Sequence, residues 1–190
     1  LSYTIKGQLD RVLIHERFSS HELGVYSAGV QVASSLTIVI MAVNSALVPH
    51  LYERLKSQRM TVMQLHRLFW LSLIVPVMLT AMAWAMPSSL MAWLLGADFA
   101  QSQYYVVMFV LAFSLIIPYL LLVNFLFYHA KSAQISLCSV ISTLVYLLAL
   151  WVLSGVSLAV VPYATIISGV VILPLLYYYT LQVEKVKKTP

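Results

Sequence analysis

The chain of 190 residues is 62% hydrophobic and 9% charged, whereas about 25% of the residues of an ordinary globular domain are charged. This composition excludes a water-soluble domain. An outer-membrane barrel is excluded because the long apolar runs do not alternate with polar residues. The net charge of +5 does not indicate a nucleic-acid partner, since most Lys and Arg lie in gaps between apolar runs, where they report membrane topology. We therefore predict an all-α protein of the lipid bilayer.

The first predicted element covers residues 1–18 and is too polar to face lipid, so we expect a helix that other helices shelter. At 100° per residue, Lys6, Asp10 and Arg17 fall within roughly 40° of one another. Charge inside a membrane costs about 2.5–3.5 kcal/mol per residue and tends to mark a pathway, which favours a water-filled cavity along this stripe. The alternative is structural: Lys6 and Asp10 pair along the helix, and Arg17 reaches to the membrane surface.

Five apolar segments follow, each long enough to cross a hydrocarbon core of about 30 Å, which needs roughly 20 helical residues. With the helix at 1–18 they predict a six-helix transmembrane bundle, with spans at 25–49, 68–86, 104–127, 134–153 and 159–179. Ser19 or Ser20 is predicted to cap the second helix. A short interfacial helix that ends at Gly96 is predicted in the gap before the fourth.

Positive charge alternates between the gaps. Lys and Arg occur in the loop at 50–67, in the gap at 128–133 and in the tail at 180–190, whereas the gaps at 87–103 and 154–157 contain neither. Because short basic loops stay in the cytoplasm, we predict a multi-pass protein with a cytoplasmic C-terminus. Apolar residues among the charges of the loop at 50–67 predict a short amphipathic helix on the membrane surface.

The second helix carries small and polar residues within about 80° on one side: Gly24, Ser27, Gln31, Ser34, Ala42 and Ser45. Such a stripe permits close helix packing, or it lines a cavity, with Gln31 the best single candidate for a cavity residue. Asn44 and Asn124 lie off the stripe. Intramembrane Asn side chains are more often partners of another helix than of a ligand, so both are secondary candidates, as is Arg17.

Four prolines lie within predicted spans and favour kinks, since each removes a backbone hydrogen bond. They are Pro76, Pro118, Pro162 and Pro174.

No catalytic or metal-binding pattern appears in the sequence. The five histidines are dispersed, and neither a His-Glu-x-x-His site nor a Gly-x-Ser-x-Gly turn occurs. Cys138 lies in an apolar run, as a small buried hydrophobe would. We therefore predict a protein that is not an enzyme and that carries no metal or other cofactor.

The sequence QLDRVLI at 8–14, followed after a short turn by ELGVYSAG at 22–29, resembles the lipid-linked oligosaccharide (O-antigen) flippases of the multidrug/oligosaccharidyl-lipid/polysaccharide exporter superfamily. Further elements follow in the same order as in that family: Pro49, the basic loop at 50–67 and LLGADF at 94–99. The resemblance implies that the chain is the C-terminal bundle of a two-bundle transporter whose halves surround a central cavity.

The same resemblance implies a function in the bacterial inner membrane. Such proteins flip undecaprenyl-pyrophosphate-linked oligosaccharide for surface polysaccharide or O-antigen synthesis, beside a polysaccharide polymerase and other assembly proteins. Asp10 and Arg11 take the family's charged positions. We hypothesise that Lys6 and Arg11 attract the pyrophosphate, while Asp10 tunes them or titrates with a coupling proton or sodium ion.

Three other functions stay open. A multidrug antiporter of the same superfamily would exchange cations, but Asp10 is its only credible intramembrane acid here. A membrane-embedded transferase or polymerase of surface polysaccharide assembly would usually need a large loop rich in acids, Arg or His, and the gaps are short. A purely structural membrane subunit is the third.

Overall fold

The computed structural model describes residues 19–57, 62–96, 99 and 101–188, and every regular element in these ranges is helical. The helices are α1 (Ser20–Lys56), α2 (Val62–Ser72), α3 (Ile74–Ala85), α4 (Ser88–Leu95), α5 (Ser102–Ser114), α6 (Ile116–Tyr128), α7 (Ser132–Ser154) and α8 (Pro162–Lys188), with a 3-10 turn at Leu158–Val160. The all-α prediction is confirmed. Five helical stretches among these ranges are long and apolar enough to span a membrane, and the predicted helix at 1–18 lies outside the described residues.

Helix α1 begins at a capping box. The Ser19 hydroxyl accepts a hydrogen bond from the Glu22 amide, and the Glu22 carboxylate accepts one from the Ser19 amide, so two amides at the helix start are paired. The predicted cap at Ser19 is confirmed. The helix is longer than the span predicted at 25–49, because α1 runs through Pro49 to Lys56. Leu55 packs against the core beyond the proline, which favours continuation of the helix.

The surface helix predicted at 50–67 is therefore not a separate element. Its described residues belong to the last turns of α1 and to the first turns of α2. The short helix before Gly96 is present as α4, and Gly96 ends it with a φ of 103°. That left-handed conformation is one that glycine adopts without steric cost.

Two predicted spans are each interrupted near a proline. Leu73 separates α2 from α3, and Leu115 separates α5 from α6. Each break lies three residues before a proline, Pro76 or Pro118. Proline has no amide hydrogen and its ring crowds the preceding turn, so the ladder of hydrogen bonds fails there.

The other two prolines behave differently. Pro162 is the first residue of α8, where a helix needs no amide hydrogen, so the kink predicted there is wrong. Pro174 lies inside α8, which continues past it to Lys188. The predicted tail at 180–190 is thus helical over most of its length.

The stretch α5–α6 is the centre of the bundle. It contacts α1, α3 and α8, and α7 packs on the outside against α8. Half of the most apolar part of α5–α6 is buried (50%), against 6% for α1. One buried cluster joins Leu65 and Phe69 of α2 to α6, α7 and α8. A second joins Tyr26 of α1 to α5, α7 and α8.

The two ends of the bundle differ in charge. One end, called the basic end below, holds every Lys and Arg of the described residues: Arg54, Lys56, Arg67, Lys131, Lys185, Lys187 and Lys188. The opposite end contains the start of α1, helix α4, the start of α5 and the 3-10 turn.

Candidate functional site

The predicted site residues divide into two groups. The charged ones lie outside the described residues: Lys6, Asp10, Arg11 and Arg17. Gln31 and Asn44 lie on α1, and Asn124 lies on α6. The described part of the predicted site therefore consists of α1 and the helices that contact it.

Helix α1 packs on α5 through a face that includes Gly29. A Cβ atom built on Gly29 would lie 2.5 Å from the Cβ of Tyr105 and 3.2 Å from the carbonyl oxygen of Ser102. Tyr26 is 1% exposed, and its ring meets the rings of Tyr105 and Phe109 edge to face at 5.3 and 5.4 Å. This glycine allows the two backbones to approach closely.

The small and polar stripe predicted on α1 does not make this contact. At 100° per residue, Gln31 and Ala42 point roughly 160–180° away from Ala33, which is 1% exposed on the packed face. Gln31, Ala42 and Ser45 are exposed, while Gly24, Ser27 and Ser34 are half-buried. Gly29 was not predicted as a packing residue, although the small residues at positions 29 and 33 are a sequence signal for close packing.

Hydroxyl groups on this outward face are satisfied within α1. Ser34 donates to the carbonyl of Gln31 at 2.8 Å, Ser35 to that of Val32 at 2.7 Å, and Ser45 to that of Met41 at 2.9 Å. The exposed side-chain amide of Gln31 has two hydrogen-bond donors and one acceptor group, and these groups can bind a hydrogen-bonding partner. The outward face of α1 thus offers small side chains and one amide, together with the large exposed side chain of Ile38.

The outward face of α7 has a different composition from that of α1. Its exposed residues are large and apolar: Leu137, Val140, Leu144, Leu148 and Trp151. No water is present in a bilayer core to solvate polar groups, so such a face suits contact with acyl chains. The face of α1 that carries Gln31 differs from it in having an exposed amide and several small residues, although Ile38 on the same face is large and exposed.

Asn44 and Asn124 form a bridge between helices. The Asn124 amide donates to the side-chain oxygen of Asn44 at 2.8 Å, and it joins α6 to α1. Both residues are half-buried. The expectation that they act as helix partners is met, and an interhelical hydrogen bond of this kind contributes about 0.6–1.7 kcal/mol in a membrane protein.

Histidine at the basic end also serves packing. The Tyr177 hydroxyl lies 3.1 Å from Nδ1 of His66, and the Tyr177 ring stacks on Phe69 with centroids 4.9 Å apart. These contacts join α2 to α8. Among the residues that the structure describes, no group of three His, Cys, Asp or Glu could hold a metal ion.

A cavity lies at the opposite end, between the starts of α1 and α5. Its volume is about 230 Å³. The cavity is about half open, and its lining is polar and apolar in about equal parts. The lining consists of His21, Glu22, Val25, Gln101, Tyr104, Tyr105 and Leu158. The cavity was not predicted from the sequence, because its residues come from three separate segments.

Two proteins of Haemophilus influenzae (strain ATCC 51907 / DSM 11121 / KW20 / Rd) are similar to the chain. One, named "Lsg locus putative protein 1", is 42% identical over 185 residues, which are 97% of this chain and 46% of that protein. The other, named "Uncharacterized membrane protein", is 44% identical over 178 residues, which are 94% of this chain and 44% of that protein.

The chain therefore spans about half the length of the curated relatives it matches. No protein-family model matches it, and no solved structure does. Its apolar helices and its similarity to a membrane protein agree that it is a multi-pass membrane protein.

Proposed function

We propose that the chain is one half of a carrier that flips undecaprenyl-pyrophosphate-linked oligosaccharide across the bacterial inner membrane. The observation that carries this proposal is the outward face of α1. It exposes the Gln31 amide and several small residues beside the large side chain of Ile38, whereas the outward face of α7 exposes mainly large apolar residues. A helix face of this kind suits the wall of a water-filled path better than contact with lipid.

The cargo follows from physical chemistry and from the resemblance of the sequence. A pyrophosphate with a hydrophilic glycan cannot cross hydrocarbon without replacing its lost hydration. Small side chains leave space for a bulky glycan, and Gln31 supplies hydrogen bonds that do not depend on the identity of the sugar. Lys6 and Arg11 are proposed to hold the pyrophosphate, with Asp10 beside them as the group that couples to a proton or a sodium ion.

The second wall of the path is proposed to come from the other half of the protein, since the relatives are about twice as long as the chain. The basic end is proposed to face the cytoplasm. The cargo then enters at the basic end and leaves at the opposite end, toward enzymes that polymerise and assemble the glycan.

The test is cysteine labelling of the full-length protein with a membrane-impermeant maleimide. In a Cys138→Ala background, Gln31→Cys should react, and the reaction should stop delivery of the glycan to the cell surface, because the label fills the path. Leu144→Cys on the lipid-facing side of α7 is the control and should neither react nor lose delivery.

Equal labelling of Gln31→Cys and Leu144→Cys would contradict the proposed water-filled path. Labelling of Gln31→Cys without any change in glycan delivery would contradict the proposed cargo instead. If labelling of Gln31→Cys leaves glycan delivery normal but makes the cells lose resistance to cationic drugs, the chain belongs to an antiporter instead.

A further inference from the structure

The cavity at the end opposite the basic end is built from three segments that the fold brings together. His21, Glu22 and Val25 come from the first turns of α1, Gln101, Tyr104 and Tyr105 from the start of α5, and Leu158 from the 3-10 turn. It is separate from the outward face of α1 at Gln31, because the α1 residues that line it adjoin the helix start at Ser20.

Its aromatic walls are held in place by other contacts. The Tyr104 hydroxyl donates to the carbonyl of Ala159 at 3.0 Å, which fixes the ring against the segment after α7. The rings of Tyr104 and Tyr105 lie 5.4 Å apart at 76°, so they form a corner rather than a flat stack. Tyr105 is further anchored by the edge-to-face contact with the buried Tyr26. A corner of two rings offers apolar surface to the C–H side of a small ring.

The polar groups of the cavity can both donate and accept. The Gln101 amide does both, and so does the hydroxyl of Tyr105, whereas the Tyr104 hydroxyl already donates to the carbonyl of Ala159. The Glu22 carboxylate uses Oε2 to accept from the amide and hydroxyl of Ser19, which leaves Oε1 to accept from a ligand. Mixed donors and acceptors beside an aromatic corner match a ring that carries several hydroxyl groups.

The local charge disfavours a cation as the occupant. The negative charge of Glu22 is compensated by the positive end of the α1 dipole and by the amide hydrogen of Ser19. His21 also lies beside it in the lining. A cation would gain little from this compensated carboxylate, but tyrosine faces attract cations, so an organic cation serves as the competitor in the test.

The volume also fits one sugar ring. About 150 Å³ is enough to hold benzene in an engineered cavity, and this cavity measures about 230 Å³. The difference leaves space for hydroxyl groups around a six-membered ring.

We propose that this cavity binds one pyranose unit at the exit end of the bundle. The assignment rests on the proposed function for the origin of the sugar, which would be the glycan of the lipid-linked cargo. Bound there, the glycan is held as it leaves, away from the path wall at Gln31.

The test is saturation-transfer difference NMR on the full-length protein in nanodiscs, with the methyl pyranosides of glucose, galactose and N-acetylglucosamine as probes. At least one should give a signal. Gln101→Ala should weaken its binding about fivefold, since a hydrogen bond contributes about 1 kcal/mol. Gln182→Ala, an exposed glutamine near the basic end, is the matched control and should leave binding unchanged.

Glu22→Gln keeps the capping box, which accepts Glu or Gln, and removes the charge. It should weaken pyranoside binding, since a charged oxygen accepts a stronger hydrogen bond than a neutral amide oxygen. Tetraethylammonium is added as a competitor and should not displace the sugar. A sugar signal that is absent for all three probes, unchanged in Gln101→Ala, or displaced by tetraethylammonium would overturn the assignment.

The assay involves no translocation, so its outcome is independent of the labelling at Gln31. If the pyranosides bind but labelling at Gln31→Cys has no effect on glycan delivery, the pyranose site is supported and the carrier function is contradicted. If labelling stops delivery but no pyranoside binds, the carrier function is supported and the pyranose site is contradicted.

Discussion

Ala130 has a backbone conformation that is uncommon for a residue with a side chain. Its φ is 56°, the one positive value at a non-glycine among the described residues. It ends α6 in a tight turn, where the amide of Lys131 donates to the carbonyl of Leu126 at 2.9 Å and that of Ala130 to Phe127 at 3.0 Å. This is the pattern in which helices usually end on glycine, and the left-handed conformation costs a residue with a Cβ about 1–2 kcal/mol.

Ala130→Gly should therefore stabilise the protein by about 1 kcal/mol, which is the strain removed less the greater freedom of glycine in the unfolded chain. The midpoint of thermal unfolding of the purified protein should rise. Ala133→Gly is the control, because Ala133 lies exposed in the first turn of α7. There the same replacement should lower stability by up to about 1 kcal/mol. A lower midpoint for Ala130→Gly would contradict the argument.

Sequence alone predicted the residues whose local chemistry decides their structure. Ser19 has a hydroxyl three residues before Glu22, and Gly96 follows a short apolar run, so a cap and a helix end could both be predicted. Ala130 could not, because alanine favours helix and only the packing of α6 and α7 holds it in a turn.

At the scale of the helix, Gly29 carries the contact between α1 and α5. A methyl group there would lie 2.5 Å from the Cβ of Tyr105, and neither backbone can move without disturbing the buried Tyr26. Gly29→Ala should destabilise the protein by about 1–3 kcal/mol, the usual cost of overpacking. Thermal unfolding in detergent measures it.

Gly24→Ala is the matched control on the same helix. The nearest atom to a Cβ at Gly24 belongs to the Phe99 ring at 3.9 Å, an ordinary contact, and alanine favours helix over glycine by up to about 1 kcal/mol. Stability should stay the same or rise. Equal loss in the two variants would mean that the close approach at Gly29 is not what stabilises the helix pair.

Sequence periodicity predicted where α1 runs but not which face packs. Small residues lie on both sides of it, with Gly24 and Ser27 on one and Gly29 and Ala33 on the other. The choice between the faces depends on Tyr105 and Phe109, which come from a helix about 80 positions later in the chain. The ends of helices were similarly uncertain, since Pro118 accompanies a break whereas Pro49 lies inside a continuous helix.

The whole molecule is polarised in two directions. Along the bundle axis, Lys and Arg of the described residues gather at the basic end, while the cavity lined by Glu22 and Gln101 lies at the other. Across the bundle, the exposed face of α7 is mainly large and apolar, while the face of α1 around Gln31 combines small and polar residues with the exposed Ile38. The first asymmetry is the basis of the proposed orientation in the membrane, and the second is the basis of the proposed path.

The proposed orientation places the turn after α7 outside the cytoplasm and the turn before α7 inside. Val156 is 72% exposed in the first turn, and Ser132 is exposed at the second. In a Cys138→Ala background of the full-length protein, Val156→Cys should react with an impermeant maleimide once the outer membrane is opened.

Ser132→Cys is the paired position at the other end of the same helix, and it should react only after the inner membrane is also disrupted. Helix α7 has 23 residues and is about 35 Å long at 1.5 Å per residue. Its two ends therefore lie on opposite sides of a hydrocarbon core of about 30 Å. The reverse order of labelling would mean that the protein has the opposite orientation in the membrane. It would also move the cavity to the entry side, where a pyranose site would receive the cargo instead of releasing it.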